Sequence, residues 1–195
     1  MTALAPVSQP IGVFPQFFAQ RPEVIVLKEK VLSLTGDSFS IETINGAPIL
    51  QVEGKVMSIS GRKKVTDMAG VHLFSIVKEH LHIHATFKVE GPNGEVIMMV
   101  KNHFKLVGSK ATATFTSQNG RPETLIMHGN WFDTTADIVD EAQGDIIVAR
   151  IDRKLLSSKD VFFGQQTYAV QVAPGVDMAL IAALCICLDE KNNEK

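Results

Sequence analysis

Along residues 81–90 apolar and polar side chains alternate without a break. Leu81, Ile83, Ala85, Phe87 and Val89 hold the odd positions, and His82, His84, Thr86, Lys88 and Glu90 the even ones. Successive side chains of a strand point to opposite faces, so this is a strand with one dry side and one wet side. Residues 110–116 repeat the pattern, with Ala111, Ala113 and Phe115 on one face and Lys110, Thr112, Thr114 and Thr116 on the other. Weaker copies occupy 24–30, 37–43, 48–53, 56–60, 63–66, 71–77, 95–101, 123–128, 134–139, 145–152 and 167–172. Turn formers separate them, among them Asn45-Gly46, Pro92-Asn93-Gly94, Asn119-Gly120 and Gly144-Asp145. Short runs bounded by such turns predict about a dozen strands, mostly antiparallel. No amphipathic helical stretch alternates with them, which excludes a sheet built from βαβ units.

One segment breaks the alternation. Residues 178–188, MALIAALCICL, are apolar throughout. Met, Ala and Leu favour helix, and Asp177 is a good N-cap immediately after Pro174, Gly175 and Val176. The run predicts three helical turns, roughly 16 Å long, where a membrane core of about 30 Å needs about 20 residues. A surface helix would keep a polar stripe, and this one has none. It must be surrounded by protein. A dozen strands with one dry face each and one helix that is dry all round combine most simply as a closed barrel filled by the helix, which also removes exposed sheet edges. Residues 1–23, with Pro6, Pro10, Pro15 and Pro22 and the cluster Phe14, Phe17 and Phe18, read as an irregular arm docked in part by its aromatics. Residues 24–190 then form a single barrel domain, and 191–195 a polar tail.

Composition narrows the picture. At 195 residues and 45% hydrophobic, one core is the simple solution. Nineteen Lys and Arg against 21 Asp and Glu give a net charge of -2 with no basic half, which argues against a nucleic-acid partner. The opening MTALAPVSQP has neither a cationic start nor a long apolar stretch, so no secretory signal is expected. Cys185 and Cys187 lie two apart in the apolar helix and face different sides, which excludes a disulfide framework and suits a reducing compartment. Packing, not metal chemistry, is the ordinary role of such buried thiols. The expected location is cytoplasmic, extending to the periphery of a membrane.

Candidate chemistry is sparse. Arg62-Lys63-Lys64 is the densest cationic run and follows Gly61, so its ammonium and guanidinium groups are the candidate headgroup-binding site; a solvated strand end is the plain alternative. His80-x-His82-x-His84 would put three imidazoles on one strand face, the arrangement of a metal-dependent barrel enzyme. That face continues with Thr86, Lys88 and Glu90, which marks it as an outer wall, and no metal is assigned. His72, His103 and His128 are scattered, Arg150, Asp152, Arg153 and Lys154 mix signs, and Trp131 beside Asn130 reads as a wall residue. GxSxG, HExxH, Walker A and GxGxxG are all absent, so no catalytic residue and no cofactor is assigned, and the expected class is non-enzymatic.

Several pieces also occur in a familiar order. The run Lys30-Val31-Leu32-Ser33-Leu34, then Gly36-Asp37-Ser38-Phe39 and the Asn45-Gly46 turn, is similar to the opening of LURP-one-related proteins. Gly129-Asn130-Trp131, Ile147-Val148-Ala149-Arg150, and Tyr168-Ala169-Val170 leading into Pro174-Gly175-Val176-Asp177 and the apolar helix resemble the close of the same family. The resemblance implies a tubby-like fold, a twelve-stranded closed barrel around a central C-terminal helix, with phospholipid scramblases as distant relatives. It further implies a monomeric module that binds a phosphoinositide, an anionic membrane surface or a protein partner. Tubby relatives use basic wall residues for headgroups, and those positions do not map one by one onto this chain. In the scramblase manner the C-terminal segment would instead anchor the protein, which its length opposes.

If the apolar helix is the core of the barrel, residues 1–175 alone have nothing to close around. Thermal unfolding of that fragment is expected to show no cooperative transition, and a soluble, cooperatively melting fragment would refute the enclosed-helix reading.

Overall fold

Tight turns set the architecture. The computed structural model describes residues 3–28, 39–54, 62–79, 85–103, 109–129, 135–152 and 167–192. Five chain reversals at 43–47, 67–71, 91–95, 117–121 and 141–145 share one hydrogen bond, in which the N–H of Gly46, Gly70, Gly94, Gly120 or Gly144 donates to the carbonyl three residues earlier. Each of these glycines has φ between 74° and 85°, a left-handed conformation that closes the turn without a Cβ penalty.

The turns connect strands β1 (Glu23–Lys28), β2 (Phe39–Thr43), β3 (Pro48–Gly54), β4 (Lys63–Asp67), β5 (His72–Glu79) and β6 (Thr86–Glu90). These are followed by β7 (Val96–His103), β8 (Ser109–Thr116), β9 (Pro122–Gly129), β10 (Thr135–Asp140), β11 (Ile146–Asp152) and β12 (Thr167–Val172). Every strand pairs antiparallel with its sequence neighbours, and β1 closes the circle by pairing with both β2 and β12, so Ile25 stands opposite Thr43 on one side and Val170 on the other. The result is a closed twelve-stranded barrel.

Helix α1 (Met178–Asn192) runs through it. Every residue from Ala179 to Asp189 is 5% exposed or less, so no side of the helix meets water, as its composition requires. Inward-facing Val65, Phe74, Val89, Val100, Ala113 and Val170 pack around it, all at 0% exposure. Cys185 and Cys187 are free and buried. The helix extends four residues past the apolar run, to Asn192, and Asp189, the first of the four, stays buried. There Tyr168 Oη donates to Asp189 Oδ2 at 2.8 Å.

Alternation also overstates the wetness of β6. Thr86 is buried, Lys88 is bonded to Glu79, and Arg62 donates to Glu90 at 2.8 Å, so this wall is an ion-paired surface and not a freely solvated one. The predicted strand at 56–60, the first part of the strand at 81–90, Trp131, and His80, His82 and His84 lie outside the described residues.

The N-terminal arm is held more firmly than its aromatics alone would hold it. Phe17 is buried, yet most of the attachment is polar backbone: Val7 N–H donates to Pro174 C=O, Ile11 N–H to Gly175 C=O, Asp177 N–H to Ile11 C=O, and Ala19 N–H to Val176 C=O. Asp177 is the junction. Its Oδ1 accepts Ala179 N–H at 2.9 Å and Leu180 N–H at 3.3 Å, capping α1, while Oδ2 accepts Val13 N–H at 3.0 Å and Phe14 N–H at 2.8 Å. Gly12 permits the approach, since a Cβ there would lie 2.1 Å from the Asp177 Cβ. Burial pushes the Asp177 carboxyl from its ordinary 3.8 up to about 6, against the downward pull of those four N–H bonds.

Asn at this position keeps one accepting oxygen and turns the other into an NH2 group that faces two N–H donors. Asp177→Asn is therefore expected to retain the helix cap, to lose hydrogen-exchange protection at the Val13 and Phe14 amides, and to cost about 2 kcal/mol near neutral pH. The raised carboxyl also fixes a sign. The folded chain binds this proton more readily than the unfolded chain, so wild-type stability declines as pH climbs from about 4 to about 7, by up to about 3 kcal/mol from this group. The variant lacks that component, and denaturant titrations of both proteins at the two pH values measure it.

Candidate functional site

Strand register decides which charges meet. The run Arg62-Lys63-Lys64 enters β4, where alternation sends its members to different sides. Lys63 is only 3% exposed and shares the inward side of β4 with Val65. Lys64 is half-buried on the outer wall, opposite Glu53 of β3 and Ser75 of β5. Arg62 reaches across to Glu90, an ion pair of partly exposed groups that contributes little to stability.

A second cationic row emerges where the sequence showed only scattered residues. On β8, Lys110 stands opposite His103 of β7 and opposite His128 of β9. Lys101, two positions before His103 on the same outer face, is exposed and stands between Thr86 of β6 and Thr112 of β8. His103 Nε2 and Thr112 Oγ1 lie 3.1 Å apart, which steadies that ring beside the lysines. No carboxylate stands opposite Lys101 or Lys110 in the ladder. The row continues to Asp137 of β10, which is bound by both Nε and Nη2 of Arg150 at 2.6 and 3.0 Å. Among the described residues, Lys101 and Lys110 form no ion pair.

This arrangement suits a multiply charged anion. Two ammonium groups and two imidazoles on three adjacent strands offer several N–H donors to phosphate oxygens, on a rigid sheet and in a protein that is otherwise slightly acidic. The buried carboxylates elsewhere are bonded within the fold, with Glu123 using Oε1 alone. Glu123 accepts from Ser117 and Arg121, and Asp140 accepts from the Ala142 N–H and from Gln143. Among the described residues no group of three His, Cys, Asp or Glu could hold a metal ion, and no helix is long and apolar enough to cross a membrane.

The model of the LURP-one-related family matches residues 23–189, nearly the whole barrel and its helix. The chain belongs to the LURP-one-related family. Protein LURP-one-related 15 of Arabidopsis thaliana is 26% identical over 97% of this chain and 90% of its own length. Protein LURP-one-related 10 of the same plant is 24% identical over 93% of this chain and 96% of its own, and Protein LURP1 is 22% identical over 90% and 86%. The X-ray structure of an Arabidopsis thaliana protein superposes with a TM-score of 0.67, covering 94% of this chain and 99% of that one at 20% identity, a likeness of fold. The architecture of this LURP-one-related chain is tubby-like, a closed antiparallel barrel around one C-terminal helix.

Sequence reasoning placed the cationic site on the densest run because adjacency in the chain is visible and adjacency across strands is not. Lys101, His103, Lys110 and His128 each sit on the polar face of an alternating strand, and that was the available signal. Only the register of β7, β8 and β9 converts it into a cluster.

Proposed function

We propose that this protein is a non-catalytic binding module that takes a polyanionic, phosphorylated headgroup on its outer wall. The observation that carries the reading is the row of Lys101, His103, Lys110 and His128 on three neighbouring strands, with no carboxylate facing either lysine. Lys64 on β4 is a secondary contact, set apart from the row by the paired charges of β5 and β6, and Arg62 is engaged with Glu90. The reading as a module and not an enzyme is supported by the engagement of the buried carboxylates in caps and pairs.

Vesicle flotation tests it. Near 0.1 M salt, vesicles of phosphatidylcholine with a few per cent of a phosphoinositide are expected to recruit the protein, and phosphatidylcholine alone is not. Each basic residue near an anionic surface contributes about 1 kcal/mol, so Lys101→Glu with Lys110→Glu is expected to weaken recruitment by at least about tenfold, and Lys64→Glu by less. Substituting Lys63 is avoided, because a buried side chain confounds binding with folding. Equal recruitment of wild type and the double variant, both shown to unfold cooperatively, would eliminate this site.

A further inference from the structure

The turn-bearing end of the barrel has the opposite character from the cationic wall. Its five turns carry Asp67, Glu95, Glu141 and Asp145, and Arg121 is the sole Lys or Arg among them. Arg121 is itself held, by Glu123 Oε1 at 2.8 Å and Gln9 Oε1 at 3.0 Å. Between the arm and the rim of β5 to β8 lies an open groove of about 610 Å³. Its walls are Phe14, Leu73, Pro92, Val96 and Ile97, with Glu95, Thr114 and Thr116 supplying polar atoms at the margin.

Three observations say what fits there. The exposed large apolar side chains among the described residues gather at this end: Val96 of the groove at 51%, and Met68 and Val71 of the neighbouring β4–β5 turn at 51% and 57%. The groove is pre-formed, because the Phe14 ring packs on Phe74 with centroids 5.7 Å apart and the Phe14 N–H is held by Asp177, so little ordering is needed on binding. Glu95 folds back over Gly91, which has no Cβ to obstruct it, and takes Asn93 N–H on Oε2 at 3.1 Å, fixing a carboxylate beside the apolar walls. An anionic headgroup would be repelled here. A ligand with a cationic group beside its apolar part would meet the Glu95 carboxylate at the margin.

We propose that this groove docks a short segment of a partner protein in which one or two bulky apolar side chains are flanked by Lys or Arg. The apolar side chains fill the space between Phe14, Leu73 and Val96, and a flanking cation meets Glu95. The groove runs along the outer face of β7 as far as Met99, two residues and about 7 Å short of Lys101, so the groove and the cationic wall adjoin on one side of the barrel. The proposal goes beyond the headgroup reading and does not depend on it.

Fluorescence anisotropy with two labelled dodecapeptides provides the test, one alternating Leu and Phe pairs with Lys, the other with Glu in place of each Lys. The Lys peptide is expected to bind at least about tenfold more tightly than the Glu peptide. Val71→Asn with Val96→Asn, which changes no charge at exposed positions, is expected to weaken the Lys peptide about tenfold, and Glu95→Gln about threefold at low salt. The Lys101→Glu, Lys110→Glu variant is expected to bind the Lys peptide no more weakly than wild type, which separates this site from the headgroup wall. Equal affinity for both peptides would overturn the proposal, as would undiminished binding by a Val71→Asn, Val96→Asn protein with a native melting curve. Self-association in sedimentation that this same variant abolishes would assign the groove to a second copy of the chain instead.

Discussion

A helix that is apolar on every side persists in water only where protein replaces the solvent completely, and most of this molecule is the consequence. One flat sheet covers one side of a helix. Covering all sides takes a sheet that curls until its first strand meets its last, as β1 meets β12 here. A closed sheet offers no edge to other chains, and antiparallel pairing lets five reversals be made by tight turns. Where the wall presses on the helix it is thinned by small inward residues, Ala111, Ala113, Ala136 and Ala149, which make room for Leu and Ile from α1.

Enclosure creates a problem at the helix start, where N–H groups without partners would be buried. Asp177 resolves it with both oxygens. One oxygen caps α1, and the other binds the arm at Val13 and Phe14, so the group that starts the core also closes the barrel mouth over it. The arm reinforces the closure through Gly12, whose N–H reaches Ser117 Oγ at 3.1 Å while Ser117 in turn donates to the buried Glu123. Burying these carboxylates is tolerable because each is met by donors fixed in the backbone or by a guanidinium. Phe14, held in place this way, becomes a wall of the groove, and thus the folding device also shapes a surface.

Most of the fold was legible because both of its periods are written plainly. The two-residue alternation of residues 110–116 and the unbroken apolar run of 178–188 admit few other arrangements, and Asp177 was recognisable as a cap from its place after Pro174-Gly175-Val176. Its second duty was not legible, because binding Val13 and Phe14 joins residues more than 160 positions apart. The same limit hid the cationic row. Lys110 and His128 lie far apart in the chain and become neighbours only through the β8–β9 register, whereas Arg62-Lys63-Lys64 are adjacent in sequence and are turned apart by the strand.

A net charge of -2 conceals an uneven distribution of charge over the described surface. The turns hold Asp67, Glu95, Glu141 and Asp145 against Arg121, and the outer wall away from them holds Lys64, Lys88, Lys101 and Lys110 interleaved with Glu53, Glu79 and Asp137. Helix α1 follows β12 and therefore starts at the turn end, where the Asp177 carboxylate caps its positive pole, while near its other end the buried Asp189 is held by Tyr168 Oη. Inside a dry barrel a helix dipole is poorly screened, and the Asp177 carboxylate relieves it at the start. On the readings proposed above, a polyanion suits the wall of β7 to β9 and a basic apolar segment suits the rim beside Glu95.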